Sequence, residues 1–150
     1  MTATNHSLTG AVVALAISQP LLAVPLALLS HFAVDVIPHF DMGASKSGLF
    51  KKIASVDTVA AAIFTLGLPF LLNNHRSAWQ IFACMLVAMS PDFIWGWRYF
   101  RFRSLEGVIN EPMSLFSAVH KKIQWSETPK GIYVEAVWFA AAWAAIVSLR

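Results

Sequence analysis

The chain is predicted to be an all-α integral membrane protein, a polytopic bundle in a single domain over residues 1–150. About four to five membrane helices are expected, the first a short re-entrant piece, with an amphipathic helix at the interface. Three observations carry this reading. The sequence is 57% hydrophobic and 13% charged, whereas an ordinary soluble domain has roughly 25% charged residues. A globule of this size still exposes about a third of its unfolded surface, and these residues cannot cover that area with polar groups. Apolar runs recur at about 8–37, 56–72, 79–97 and 131–149, the last three close to the ~20 residues a helix needs to cross a bilayer. The basic residues concentrate in the loops between them.

The first run is too long for one straight crossing. Pro20 follows Gln19 and Pro25 comes soon after. Proline has no amide proton and breaks a helix that reaches it from the N-terminal side. The reading is a short helix near 7–18 and a full one over 21–37. The short piece spans about 18 Å at ~1.5 Å per residue and cannot cross. A re-entrant hairpin is therefore preferred over one long kinked helix, which would put His6 on the opposite side.

The loops orient the rest. Residues 39–55 carry Lys46, Lys51 and Lys52, and residues 98–130 carry Arg98, Arg101, Arg103, Lys121, Lys122 and Lys130. Two crossings separate these loops, so they share a side, and the positive-inside rule assigns that side to the cytoplasm. This predicts a multi-pass protein of the cell (inner) membrane. The net charge of +3 and the pI near 9.3 do not imply nucleic acid, because no arginine-rich or aromatic-interleaved strand pattern accompanies them. The amino terminus has no basic n-region and reads as mature sequence. Cys84 reads as a small core residue. In 113–125, Leu115, Phe116, Val119 and Ile123 recur at helical spacing with His120 and Gln124 on the same side. Lys121 and Lys122 point away, as on a helix lying at the membrane surface.

Ionisable groups on this map gather at one depth. His31 and Asp35 are four apart on one helix face. Pro38 places His39 and Asp41 on the following turn. Asp57 opens the next helix, Asp92 follows Ser90-Pro91 late in the third run, His120 sits on the amphipathic helix and Glu135 lies near the start of the last. In the hairpin form His6 joins them, and His75 alone lies on the far side. Carboxylates in a bilayer cost a few kcal/mol even on lenient scales, and several at one level repel. A divalent cation relieves both problems and accepts imidazole and carboxylate. Zinc is the first expectation, with manganese and iron open; magnesium suits so many imidazoles less well. The candidate metal ligands are His6, His31, Asp35, His39, Asp92 and His120. Asp57 is read either as a ligand or base, or as the cap of its own helix. Asp41 and Glu135 are read as interfacial, and Trp79, Trp95, Trp97 and Trp125 as an interfacial belt.

The stretch from Ser30-His31 through Asp35 to Pro38-His39-Phe40-Asp41, with the opening His6-Ser7-Leu8-Thr9-Gly10, resembles the family of membrane-bound, predicted metal-dependent hydrolases of the bacterial inner membrane. More distantly, His-x-x-x-Asp followed by Pro and His is similar to the helical zinc-dependent phospholipase C and nuclease superfamily. That superfamily's second helical pair is His-x-x-x-Glu; here the nearest match is His120-x-x-x-Gln124. The resemblance implies phosphoester cleavage at a zinc cluster held by helix-borne ligands, with one or two metals expected here.

The expected function is thus a metal-dependent hydrolase at the cytoplasmic membrane face, cleaving a phosphoester or related ester of a lipid or other amphipathic substrate. The metal would lower the pKa of a bound water, with Asp35 and Asp57 as catalytic carboxylates. Lys51, Lys52, Lys121 and Lys122, with Gln124, would attract an anionic head group. Two non-enzymatic readings stand beside it: a structural metal site, which would be closed, and a proton or metal-ion pathway, which would need polar groups at several depths. The absence of His-Glu-x-x-His and Gly-x-Ser-x-Gly sets aside the corresponding proteases and serine hydrolases.

Overall fold

Pro20 divides the first apolar run into two helices, α1 (Ala3–Ala16) and α2 (Pro20–Asp35). The proline does not end a helix here; it begins one. It stands at the first position of α2, where its missing amide proton would have had no partner in any case. Ile17 and Gln19 are extended, and the chain reverses across them. α1 and α2 form an antiparallel hairpin, so His6 returns to the end where Asp35 lies. α1 begins earlier in the chain than the apolar pattern indicates, because its first turn is polar yet buried.

The computed structural model describes residues 1–40, 48–73, 76–102, 114–123 and 125–150. Asp41, Lys46, His75, Arg103 and Gln124 lie outside the described residues, as do the side chains of Lys51, Trp95, Arg98, Arg101, Phe116 and Lys121. The remaining elements are α3 (Gly48–Leu71), α4 (Ala78–Phe102), α5 (Leu115–Ile123), a 3-10 turn (Pro129–Gly131) and α6 (Ile132–Leu149). The described residues are all-helical apart from one isolated bridge, Phe40 with Thr128.

α1 is the centre of the bundle and packs against α2, α3, α4 and α6. Gly10 permits its approach to α4: a β-carbon there would lie 2.5 Å from the Cys84 carbonyl oxygen. Around this contact Leu8, Ala11, Ala14, Ile81, Met85 and Ala88 form the core.

A buried helix must satisfy its terminal amides and carbonyls from elsewhere in the protein. α1 has no side-chain cap of its own. Asp57 of α3 accepts the amides of Ala3 (2.8 Å) and Thr4 (3.1 Å). Glu135 of α6 accepts the Thr2 amide (3.0 Å), the Thr2 hydroxyl (2.8 Å) and the Asn5 side-chain amide (2.6 Å). At the other end Gln80 of α4 donates to the carbonyls of Ala14 (3.3 Å) and Ile17 (2.6 Å). These carboxylates also meet the positive end of the α1 dipole.

Among the described residues, two helices are long and apolar enough to cross a membrane, over Lys52–Leu71 and Pro129–Leu149. Only 22% and 17% of the residues in those windows are buried in the protein. Pro20–Asp35 and Ala78–Ile94 are apolar but shorter. Leu21, Leu29, Val59, Ile63, Phe70, Trp79, Phe93, Tyr133 and Val137 point outward.

Candidate metal centre

The hairpin, α4 and α5 bring five side chains together at one end of the bundle. His6 comes from the second turn of α1, His31 and Asp35 from the last turns of α2, Asp92 from α4 and His120 from α5. The His and Asp35 side chains are fully buried, whereas the Asp92 side chain is 30% exposed.

His31 Nε2, His120 Nε2 and Asp35 Oδ2 form a near-equilateral triangle. The edges are 3.0 Å between the imidazoles, 3.2 Å from His31 to Asp35 and 3.1 Å from His120 to Asp35. Donors held by a tetrahedral ion at about 2.0–2.1 Å stand roughly 3.3 Å apart, so this triangle has the size of one coordination face. Asp92 Oδ1 lies beyond it, 3.7 Å from His31 Nε2 and 4.0 Å from His120 Nε2.

The α4 backbone orients His31. α4 runs through Pro91 without restarting. Pro91 has no amide to offer the Val87 carbonyl, and the Ser90 hydroxyl donates to that oxygen at 2.8 Å instead. The next carbonyl, of Ala88, accepts from His31 Nδ1 at 2.8 Å. A carbonyl only accepts, so Nδ1 carries the proton and a neutral His31 turns the Nε2 lone pair toward Asp35. Lone pair and carboxylate 3.2 Å apart attract only if a cation, a proton or a metal ion, lies between them. His6 poses the same demand. Its Nε2 is 3.1 Å from Asp35 Oδ1, yet neither ring nitrogen has a hydrogen-bond partner. The donor set therefore fits a divalent ion: three imidazoles, that of His31 fixed by an outer hydrogen bond, and carboxylates to balance charge.

The other expected residues lie elsewhere. His39 is buried, but its Nδ1 donates to the Ile37 carbonyl at 2.8 Å and its Nε2 faces Glu127 Oε1 at 3.7 Å. The turn after α2 carries it away from the cluster, held by the Thr128 amide on the His39 carbonyl at 3.0 Å. Gly131 completes this join, since a β-carbon there would overlap the His39 carbonyl. Burial opposes a charge on His39, but the Glu127 carboxylate and the Ile37 carbonyl outweigh it and raise its pKa. Asp57 is a helix cap, though of α1 and not of its own helix, and both its oxygens are occupied by α1 amides. Glu135, read from sequence as interfacial, is the second such cap. Lys52 and Lys122 are exposed.

Three partners of the site were invisible to sequence reasoning. They are the Ala88 carbonyl, the Ser90 hydroxyl that supports the helix beside it, and the Met1 amino group, which contacts Asp35 Oδ1. Ser90-Pro91 was a signal for the second alone, because a proline within a helix leaves the carbonyl four residues upstream, here that of Val87, without its amide. A cavity of about 480 Å³ lies apart from the cluster, between α3 and α6, lined by Thr4, Asn5, Lys52, Val56, Glu135 and Phe139 among others.

Compared with family models, with curated proteins and with solved structures, the chain has no match in any of the three.

Proposed function

We propose that this chain is a membrane-embedded, metal-dependent hydrolase that cleaves a phosphoester or related ester of a lipid or other amphipathic substrate. The observation that carries the reading is the triangle of His31 Nε2, His120 Nε2 and Asp35 Oδ2 with edges of 3.0–3.2 Å, open on the side of the partly exposed Asp92. A structural site would be closed by protein on all sides; this one has three buried donors and a fourth that reaches the surface. A divalent ion, zinc first, would supply Lewis acidity and an activated water there. His31, His120 and Asp35 would hold it, with Asp92 as a further donor on the open side, and the Ala88 carbonyl fixes the His31 tautomer.

The setting supports a membrane. The two spanning-length helices turn most of their apolar surface outward, and α2 and α4 add Leu21, Leu29, Trp79 and Phe93. Trp79 lies exposed at one end of the bundle, and Trp97 and Trp125 at the other, as in an interfacial belt. On this reading α2, α3, α4 and α6 cross, α1 is the re-entrant piece and α5 lies at the interface. Lys52, Lys122 and Lys130 belong to the end that carries the site, which the positive-inside rule assigns to the cytoplasm. Lys52 and Lys122, both exposed, would attract an anionic head group.

The test is metal content by elemental mass spectrometry on the detergent-purified chain, beside His31→Ala, Asp35→Ala and His120→Ala. Bound zinc, manganese or iron that falls in each variant, followed by turnover of lipid phosphoesters in mixed micelles, is the expected result. A wild type that stays metal-free after exposure to all three ions would sink the reading and leave a network held by protons.

A further inference from the structure

We propose that the groove between α3 and α6 holds one acyl chain of a membrane phospholipid, bound apart from the metal centre as a resident part of the folded protein. The inference rests on the membrane-embedded reading above and is independent of the hydrolytic one. α3 and α6 contain the two spanning-length segments, and both pack on α1. Toward their middles they meet through aromatic rings, the Phe64 centroid lying 6.1 Å from that of Phe139 and 5.9 Å from that of Trp143. Toward the end that carries the site they leave a groove of about 480 Å³. Ile53, Val56 and Ala60 line it from α3, Ile132, Ala136 and Phe139 from α6, and the first turn of α1 lies between them. The polar groups there are engaged within the protein. Asp57 and Glu135 accept the α1 amides, the Thr2 hydroxyl donates to Glu135 at 2.8 Å, and the Thr4 hydroxyl to the Asp57 carbonyl at 3.2 Å. Val56, Ile132 and Phe139 are 70%, 43% and 38% exposed, so the groove opens outward, on the surface that faces the bilayer.

Size and surroundings select the occupant. Water does not fill a space open to bilayer hydrocarbon, and an empty groove forfeits dispersion contacts along its lining. The lining runs over 53–60 and 132–139, a length of about 10 Å at ~1.5 Å per residue. A helical segment of that length, about 10–12 Å across, occupies roughly 800–1,200 Å³. A helix of a partner or of a second copy can bridge the mouth but does not enter. A flexible alkyl chain enters, and about 480 Å³ falls within the roughly 300–1,000 Å³ of small-molecule sites. Exposed Lys52 belongs to the lining, a cation placed for the phosphate of the lipid that owns the chain. None of His6, His31, Asp35, Asp92 and His120 lines the groove, so this lipid is not the substrate. Its chain braces the two helices whose carboxylates cap α1.

The experiment counts lipid retained by the full-length chain. The protein is reconstituted in nanodiscs of phosphatidylglycerol and phosphatidylcholine, released into mild detergent and weighed by native mass spectrometry. Wild type is expected to keep one phospholipid per chain. Ala60→Trp and Ala136→Trp, which fill the groove, are expected to keep none, and Ala62→Trp, on the exposed side of α3, to keep one. The wild-type count depends on no variant folding. A wild type without phospholipid, equal retention in all variants, or a retained species that is only free fatty acid or detergent would overturn the proposal. A lipid-free dimer would also overturn it and make the groove an interface between copies. A chain that stays in solution without detergent and does not float with vesicles would instead refute the membrane reading itself; one that floats yet holds no lipid refutes the groove alone.

Discussion

The Asp57 carboxylate accepts the Ala3 amide at 2.8 Å, so a residue of α3 caps the first turn of α1 across 54 positions of sequence. Its other oxygen takes the Thr4 amide, which uses both lone-pair edges for structure. Asp57→Ala is therefore expected to destabilise the protein by about 1–2 kcal/mol, the usual cost of a lost cap, while leaving metal stoichiometry unchanged. Thermal unfolding in detergent and metal content measured on the same preparations check this. Loss of metal with no loss of stability would return Asp57 to the list of ligands.

Ser90 and Pro91 form a compensated pair. Ser90→Ala leaves the Val87 carbonyl without the donor that replaces the missing proline amide, at a cost of about 1–3 kcal/mol. Pro91→Ala restores the amide, so Ser90→Ala in that background is expected to cost clearly less than in wild type. A double-mutant cycle on unfolding free energies measures this coupling. Additive effects would show that the hydroxyl does not support the carbonyl.

His39 and Glu127 make stability depend on pH. The folded-state pKa of His39 is raised above its ordinary value by Glu127 and the Ile37 carbonyl, against the opposing effect of burial. A group with a raised folded pKa binds its proton more tightly when folded. Its contribution is complete below the unfolded value of about 6.5 and is lost as pH rises through the raised folded value. Stability followed from about pH 6 to about pH 9 should fall more steeply in wild type than in Glu127→Gln. Parallel profiles would remove the pair from the account. The effect is expected to be modest, because the Glu127 side chain is 31% exposed and screened by solvent.

Local chemistry made part of this protein legible from its residues alone. Helical periodicity put His31 and Asp35 on one face, and the structure joins them at 3.2 Å. Pro20 announced a division of the first apolar run, although it begins α2 where a terminating role was expected. His120 was marked by its place on the apolar side of a short helix, and it meets Asp35 at 3.1 Å. These signals act within a few residues, where spacing and side-chain type suffice.

Tertiary structure alone decided the rest. Asp57, Glu135 and Gln80 are ordinary polar residues until α1 is buried among the other helices. Its terminal amides and carbonyls then lack water and must find partners up to 133 positions away. Such bonds leave no local pattern. His39 shares residue type and burial with the site histidines, yet the pairing of its carbonyl with the Thr128 amide turns it toward Glu127. His6 gained its place because the hairpin stacks it on His31. The sequence determined an apolar helical chain with His31 and Asp35 on one helix face; packing decided which other acids and imidazoles meet them, because a buried centre depends on the approach of helices that no short-range rule specifies.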